Sequence, residues 1–252
     1  MRSQRVTIRN RSGVSLAGTL DLPDQAKVSA CAIHSHCFTC GRNLKPYINI
    51  DRALTARGVA VLRLDFAGVG QSEGDFAQTS LATNVTDLLD AAADLAARLA
   101  PPRLLIGHSL GGAAALLAAR RLESCRAVAV IAAPSEPGQL NDLLAAKRDE
   151  ARATGAAELK LGARTWRLRP EFFADLEATR LRDAVRELAR PLLILHAPGD
   201  ETVAVEHAAA LFQAARHPKS FVSLGGADHL LLDERDARWA GEVIAAWAGR
   251  YL

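Results

Sequence analysis

The chain has 252 residues, 49% of them hydrophobic, enough for one core that buries roughly three quarters of the unfolded surface. Charged residues make up 23% and the formal net charge is +3, a solvated surface of mixed sign that excludes a nucleic-acid footprint. The opening Met1-Arg2-Ser3-Gln4-Arg5-Val6-Thr7-Ile8 has no apolar stretch of signal-peptide length, and no later segment reaches the about 18 apolar residues of a membrane span, so a cytoplasmic protein without a membrane partner is expected.

Two alternating runs, Arg5 to Asn10 and Val14 to Leu22, flank Arg11-Ser12-Gly13 and predict an antiparallel hairpin that Pro23-Asp24 ends. Beyond it, apolar runs of strand length alternate with helical segments, the pattern of a mostly parallel sheet with helices on both faces. The strands are expected at Val28 to His34, Val59 to Asp65, Arg103 to Gly107, Ala127 to Ala132, Pro191 to His196 and Ser220 to Leu224. Leu81, Val85, Leu88, Leu89, Ala92, Leu95 and Leu99 recur at helical spacing, as do Trp239, Val243, Trp247 and Tyr251, and both stripes are expected to be core packing.

From Pro134 to about Leu188 the rhythm breaks, which predicts a small cap inserted into a single domain spanning residues 1–252. The cap should open with a charged helix from Leu140 to Ala153. A hairpin of Glu158 to Leu161 and Arg164 to Arg169 about Gly162-Ala163 should follow, then a helix from about Glu171 to Leu188. Its apolar groups Leu140, Leu143, Leu144, Leu159, Trp166, Phe172 and Phe173 are expected to face inward. With Phe38, the aromatic residues Trp166, Phe172 and Phe173 are the candidate substrate-binding side chains.

Leu104-Leu105-Ile106-Gly107-His108-Ser109-Leu110-Gly111-Gly112-Ala113 joins a buried strand to a small-residue helix through Gly-x-Ser-x-Gly, the nucleophile-elbow pattern. A serine needs a base, and the base needs an orienting group. Downstream, Leu192 to Asp200 places a carboxylate after one strand, and Phe221 to His229 places a histidine after the next. Ser109, Asp200 and His229 therefore form the candidate triad, in the chain order this arrangement requires and at the sheet edge where open α/β folds bind ligands. Asp228, Asp233 and Glu201 are weaker competitors for the carboxylate role.

His34-Ser35-His36-Cys37-Phe38-Thr39-Cys40-Gly41 follows a buried strand, where such folds place a second oxyanion donor. The backbone N–H groups of Phe38 and Leu110 are the expected pair, the second at a helix N-terminus. Asp65-Phe66-Ala67-Gly68-Val69-Gly70-Gln71-Ser72-Glu73 lacks the third glycine of a dinucleotide loop, so NAD binding is rejected and no cofactor is expected. Cys31, Cys37, Cys40 and Cys125 are too few and too clustered for a disulfide framework, and reduced thiols are expected. Cys37-Phe38-Thr39-Cys40 is also a C-x-x-C beside His34 and His36, which leaves a redox role as an alternative to loop packing; a metal there is not expected.

His36-Cys37-Phe38-Thr39-Cys40, the segment Val61 to Phe76 and the elbow Ile106 to Ala113 together resemble the hydrolase half of bacterial proteins that fuse an α/β-hydrolase to an OsmC-like domain. The resemblance spans nearly the whole chain, although Gly41-Arg42 stands where that family often has Ser-Lys. It implies the α/β-hydrolase fold with an eight-stranded sheet, a triad at Ser109, Asp200 and His229, no cofactor, esterase-like activity and an OsmC-like partner domain or protein. Residues and resemblance together predict a carboxylesterase of EC 3.1.1 type that acts on small-molecule esters of short to medium acyl chain. The alternatives are thioester or peptide cleavage on the same triad, or a redox-linked binding module built on Cys37 and Cys40.

Overall fold

Strands that read as continuous apolar runs must be covered on both faces. The computed structural model describes residues 1–24, 27–139, 142–161 and 164–252. In chain order its elements are β1 (Arg2–Arg9), β2 (Ser15–Leu22), β3 (Ala30–Ser35), α1 (Lys45–Ala56), β4 (Val59–Leu64), α2 (Leu81–Arg98), β5 (Pro102–His108), α3 (Leu110–Ala119) and β6 (Ala127–Ile131). They continue with α4 (Asp142–Thr154), β7 (Ala157–Leu161), β8 (Arg164–Leu168), α5 (Pro170–Ala178), α6 (Leu181–Arg186), β9 (Leu192–His196), α7 (Glu206–Ala214), β10 (Lys219–Ser223) and α8 (Glu234–Ala248).

Eight strands form one sheet in the order β1-β2-β4-β3-β5-β6-β9-β10. Antiparallel pairing is confined to β1 with β2 and β2 with β4; the remaining pairs are parallel. Successive side chains of a strand go to opposite faces, and the two hydrophobic clusters divide them accordingly. Cys31, Ile33, Ala60, Leu62, Leu105, Val128 and Ile194 pack beneath α2 and α3, whereas Ala32, Val61, Leu104, Ile106, Ala129 and Leu195 pack beneath α1 and α8. Among the described residues no helix is long and apolar enough to cross a membrane.

Helix α2 starts where Ser80 and Thr83 cap each other's backbone N–H, and its buried face follows the expected stripe as far as Leu95. Leu99 departs from that stripe. It is the C-cap, outside helical geometry, and is 41% exposed.

The C-terminal stripe also needs correction. Trp239 is 44% exposed, and Val243, Trp247 and Tyr251 are half-buried at the margin of the core. The buried face of α8 is instead made of small residues, Ala237, Ala240, Gly241, Ala245 and Ala248 with Ile244. A Cβ at Gly241 would lie 2.8 Å from Ile50 Cα, so α1 and α8 approach too closely for large side chains.

In the cap, β7 and β8 pair antiparallel as a separate two-stranded sheet. Gly162-Ala163 and Leu140 lie outside the described residues, as does the side chain of Leu143. The expected helix over residues 171–188 is two helices, α5 and α6, because the chain leaves helical geometry at Thr179 (ψ 116°) and Arg180 (ψ 65°). No glycine or proline marks that break.

Candidate active site

Between β5 and α3 a single residue, Ser109, turns the chain, at φ 53° and ψ −125°. A non-glycine residue held there costs roughly 1–3 kcal/mol and persists only when its surroundings dictate it. They do so here by close approach: a Cβ at Gly107 would lie 2.4 Å from Gly111 O, and one at Gly111 would lie 2.2 Å from His36 O. The Ser109 N–H donates to Ile131 O at 2.8 Å. The Ser35 hydroxyl lies 3.1 Å from Ile106 O and 2.9 Å from Gly111 O and stitches the end of β3 to the elbow.

Asp200 sits in the loop after β9, its side chain fully buried. Its Oδ1 accepts from the N–H groups of Thr202 (2.8 Å) and Val203 (2.9 Å), and its Oδ2 lies 2.7 Å from His229 Nδ1. Burial alone would push the Asp200 carboxyl up, but the hydrogen bonds from His229 and the two amides outweigh it and hold the group below its ordinary value. A carboxylate on Nδ1 assigns the proton to that nitrogen and leaves Nε2 as the basic atom of His229. No hydrogen bond joins Ser109 Oγ to His229 Nε2 among the described residues; such contacts often tighten only when substrate is bound.

The competing acids are occupied or exposed. Asp228 accepts from the N–H groups of Leu230 (2.7 Å) and Leu232 (3.0 Å), Asp233 caps α8, and Glu201 is exposed.

His36 anchors the loop that carries Phe38. Its Nδ1–H donates to Cys37 O at 2.7 Å and its Nε2 accepts from Phe66 N–H at 3.1 Å, while burial pushes its pKa down. Beyond the loop, Arg42 forms a buried ion pair with Asp65, and its N–H donates to Asp65 Oδ1 at 2.7 Å. A Cβ at Gly70 would lie 2.2 Å from Asp65 Oδ2, so the second glycine of that segment makes room for this carboxylate. The backbone N–H groups of Phe38 and Leu110 meet no acceptor among the described residues.

Cys37 and Cys40 are joined as a disulfide across Phe38 and Thr39, with Cα atoms 5.3 Å apart, which corrects the expectation that all four thiols are reduced. A two-residue spacing in a turn brings the sulfurs together with no help from a long-range framework. Thr39 stands at φ 60° within it. Cys31 and Cys125 remain free thiols, both buried and pushed up to about 11 by that burial.

The expected substrate-binding aromatics divide. Phe38 and Phe172, with ring centroids 5.4 Å apart, line a narrow cavity of about 10 Å³ beside Leu110 and Gly111. Phe76, Thr79 and Asn84 also line it and were not read from the sequence as site residues. Trp166 lies behind Phe76, at a centroid distance of 4.6 Å, and Phe173 is fully buried behind Phe172, so neither lines the cavity. A threonine and an asparagine about the start of a helix are too common in sequence to signal a pocket. A larger depression of about 470 Å³ lies between Glu136 and Arg186 on the cap and touches none of the triad candidates.

Residues 33–242 match the alpha/beta hydrolase family. The esterase domain of a Rhodothermus marinus protein is 46% identical over 100% of this chain and 99% of its own, with a TM-score of 0.80. Est1E from Butyrivibrio proteoclasticus, solved with ferulic acid, is 23% identical over 98% of each chain with a TM-score of 0.79. A dienelactone hydrolase from Anabaena variabilis is 17% identical over 100% of this chain and 98% of its own, with a TM-score of 0.70; these two show the fold alone. No curated protein matches the sequence. By the family match and by the fold, the chain belongs to the alpha/beta hydrolase family.

Proposed function

We propose that the protein is a serine carboxylesterase acting on small esters of short to medium acyl chain. The observation that carries the reading is the 2.7 Å contact between His229 Nδ1 and Asp200 Oδ2, made at the same sheet edge as the strained Ser109 elbow. The 46% identity with the Rhodothermus marinus esterase domain supports ester cleavage over other acyl chemistry.

Ser109 Oγ attacks the ester carbonyl as His229 Nε2 takes its proton, and Asp200 stabilises the resulting imidazolium. The amides of Phe38 and Leu110 receive the negative charge that develops on the carbonyl oxygen. Collapse of the tetrahedral intermediate breaks the bond to the alkoxy oxygen, which takes the proton from His229 and leaves as the alcohol. Water, deprotonated by the same nitrogen, then attacks the acyl-enzyme and releases the carboxylic acid and free Ser109. Phe38 and Phe172 narrow the acyl side, which favours small uncharged acyl groups, and an OsmC-like domain or protein is the partner to test. Matched ester, thioester and amide substrates of one acyl group test the reaction class. The ester should have the highest kcat/KM relative to its uncatalysed hydrolysis, and a larger enhancement for the thioester or amide would replace this reading.

A further inference from the structure

Between the loop that carries Phe38 and the loop that carries His229, buried polar groups form a continuous file. Cys37 N–H donates to Tyr47 Oη at 3.1 Å, Tyr47 Oη lies 3.0 Å from His108 Nδ1, and His108 Nε2 lies 2.7 Å from His229 O. Tyr47 is 3% exposed and His108 1%, so no bulk water stands in for any member.

The direction of every bond follows from proton counting. A carbonyl only accepts, so His108 Nε2 carries hydrogen. Burial, with His229 nearby, pushes the His108 pKa down to about 3, so the ring is neutral and its Nδ1 is an acceptor. Tyr47 must then donate to Nδ1 while its oxygen accepts from Cys37. Each donor has one partner, and the file runs one way from Cys37 to His229.

Its members adjoin all three parts of the proposed machinery. Cys37 immediately precedes Phe38, His108 immediately precedes Ser109, and the final acceptor is the carbonyl of His229 itself. Tyr47 is supplied by α1, which α8 holds against the sheet face opposite the cap.

We propose, on the ester-hydrolysis reading above, that Tyr47 and His108 are positioning residues that fix the Phe38 amide and the His229 imidazole relative to each other across Ser109. Neither touches the reacting atoms. Tyr47 acts through the amide of Cys37, the residue before Phe38, and His108 through the carbonyl of His229, and displacements of the order of half an ångström at such groups are enough to lower turnover.

Tyr47→Phe keeps the ring and removes the one hydroxyl that connects the two loops. Its kcat should fall by about 10- to 100-fold while KM moves less than about threefold, because the groups displaced act on the transition state. Affinity for a trifluoromethyl ketone, which adds Ser109 to form an oxyanion, should fall in parallel with kcat. A residue that only packs would lower the melting temperature without that split. His108→Gln retains an N–H within reach of His229 O and His108→Leu does not, so the Gln variant should keep at least about fivefold more kcat than the Leu variant. A folded Tyr47→Phe with kcat within about twofold of wild type would overturn the proposal, as would equal turnover by folded His108→Gln and His108→Leu. If Tyr47→Phe does not fold, the His108 pair decides. Labelling by a fluorophosphonate separates this failure from the larger one: a wild type labelled at Ser109 with undisturbed variants refutes the positioning role alone, and an unlabelled wild type refutes the ester mechanism beneath it.

Discussion

His229 Nδ1 and Asp200 Oδ2 stand 2.7 Å apart, and the carboxylate is held from its other oxygen by two backbone amides. A carboxylate fixed in this way selects one imidazole tautomer and leaves Nε2 as the basic atom. Replacing it with a carboxamide keeps the shape but allows the amide N–H₂ to face Nδ1, which then carries the lone pair. Asp200→Asn should therefore lower kcat by about 10⁴-fold with the fold intact. Steady-state ester hydrolysis measures it, and a loss below about tenfold would remove Asp200 from the mechanism.

The cavity beside Leu110 has room for at most about one water at its present size, so an acyl chain enters only when Phe172, which closes one wall from the cap, moves aside. Each buried methylene contributes up to about 0.8 kcal/mol until the space is full, so kcat/KM should peak at about two to eight acyl carbons. A series of p-nitrophenyl esters from acetate to palmitate locates the maximum. Phe172→Ala should move it to longer chains; a wild-type maximum at palmitate would contradict the account.

The disulfide at Cys37 and Cys40 borders Phe38, yet a serine mechanism uses no thiol. Cys40→Ser should keep ester hydrolysis within about tenfold, since His36 and the Arg42–Asp65 pair still anchor the loop on both sides. Loss as complete as that of Ser109→Ala, in folded protein, would give the sulfurs a part in the chemistry.

Acid should destabilise the fold early. Burial depresses His108 to about 3 and lowers His36, His196 and His207 as well. In the unfolded chain these imidazoles titrate near about 6.5, so below that pH the unfolded state binds more protons than the folded state. Their contribution is present above about 6.5 and is lost progressively as the pH falls toward their folded values. The melting temperature should drop between about pH 7 and 5, with a shallower slope for His108→Gln. A flat wild-type profile over that interval would contradict the buried neutral state.

The central strands of the sheet were legible in the sequence because they are covered on both faces, as in the runs Leu104-Leu105-Ile106 and Leu192-Leu193-Ile194-Leu195, and strand boundaries moved by up to three residues, the most at β1, which begins at Arg2 rather than Arg5. The positions of Ser109, Asp200 and His229 at strand ends were legible for the same reason. Where backbones approach closely, side-chain size misleads, and Trp239 in the expected stripe lies outside while Gly241 and Ala245 lie inside. Contacts between distant segments left no local signal. Tyr47 and His108 are 61 residues apart, and nothing in their spacing announces that they are hydrogen-bonded. The Thr179 break was hidden because β-branched residues are tolerated inside helices as well as at their ends.

The account turns on Ser109 as nucleophile, and the most direct test is the site of covalent modification. The intact protein should react with a fluorophosphonate at one residue, with the adduct mapped by peptide mass spectrometry to Ser109. Ester hydrolysis should fall in proportion to the fraction labelled. Ser109→Ala should take up no label and lose nearly all turnover, down to the residual that the oxyanion amides and binding alone sustain, with its melting temperature close to that of wild type. An adduct on another residue, or a folded Ser109→Ala that keeps most of its ester turnover, would contradict the account.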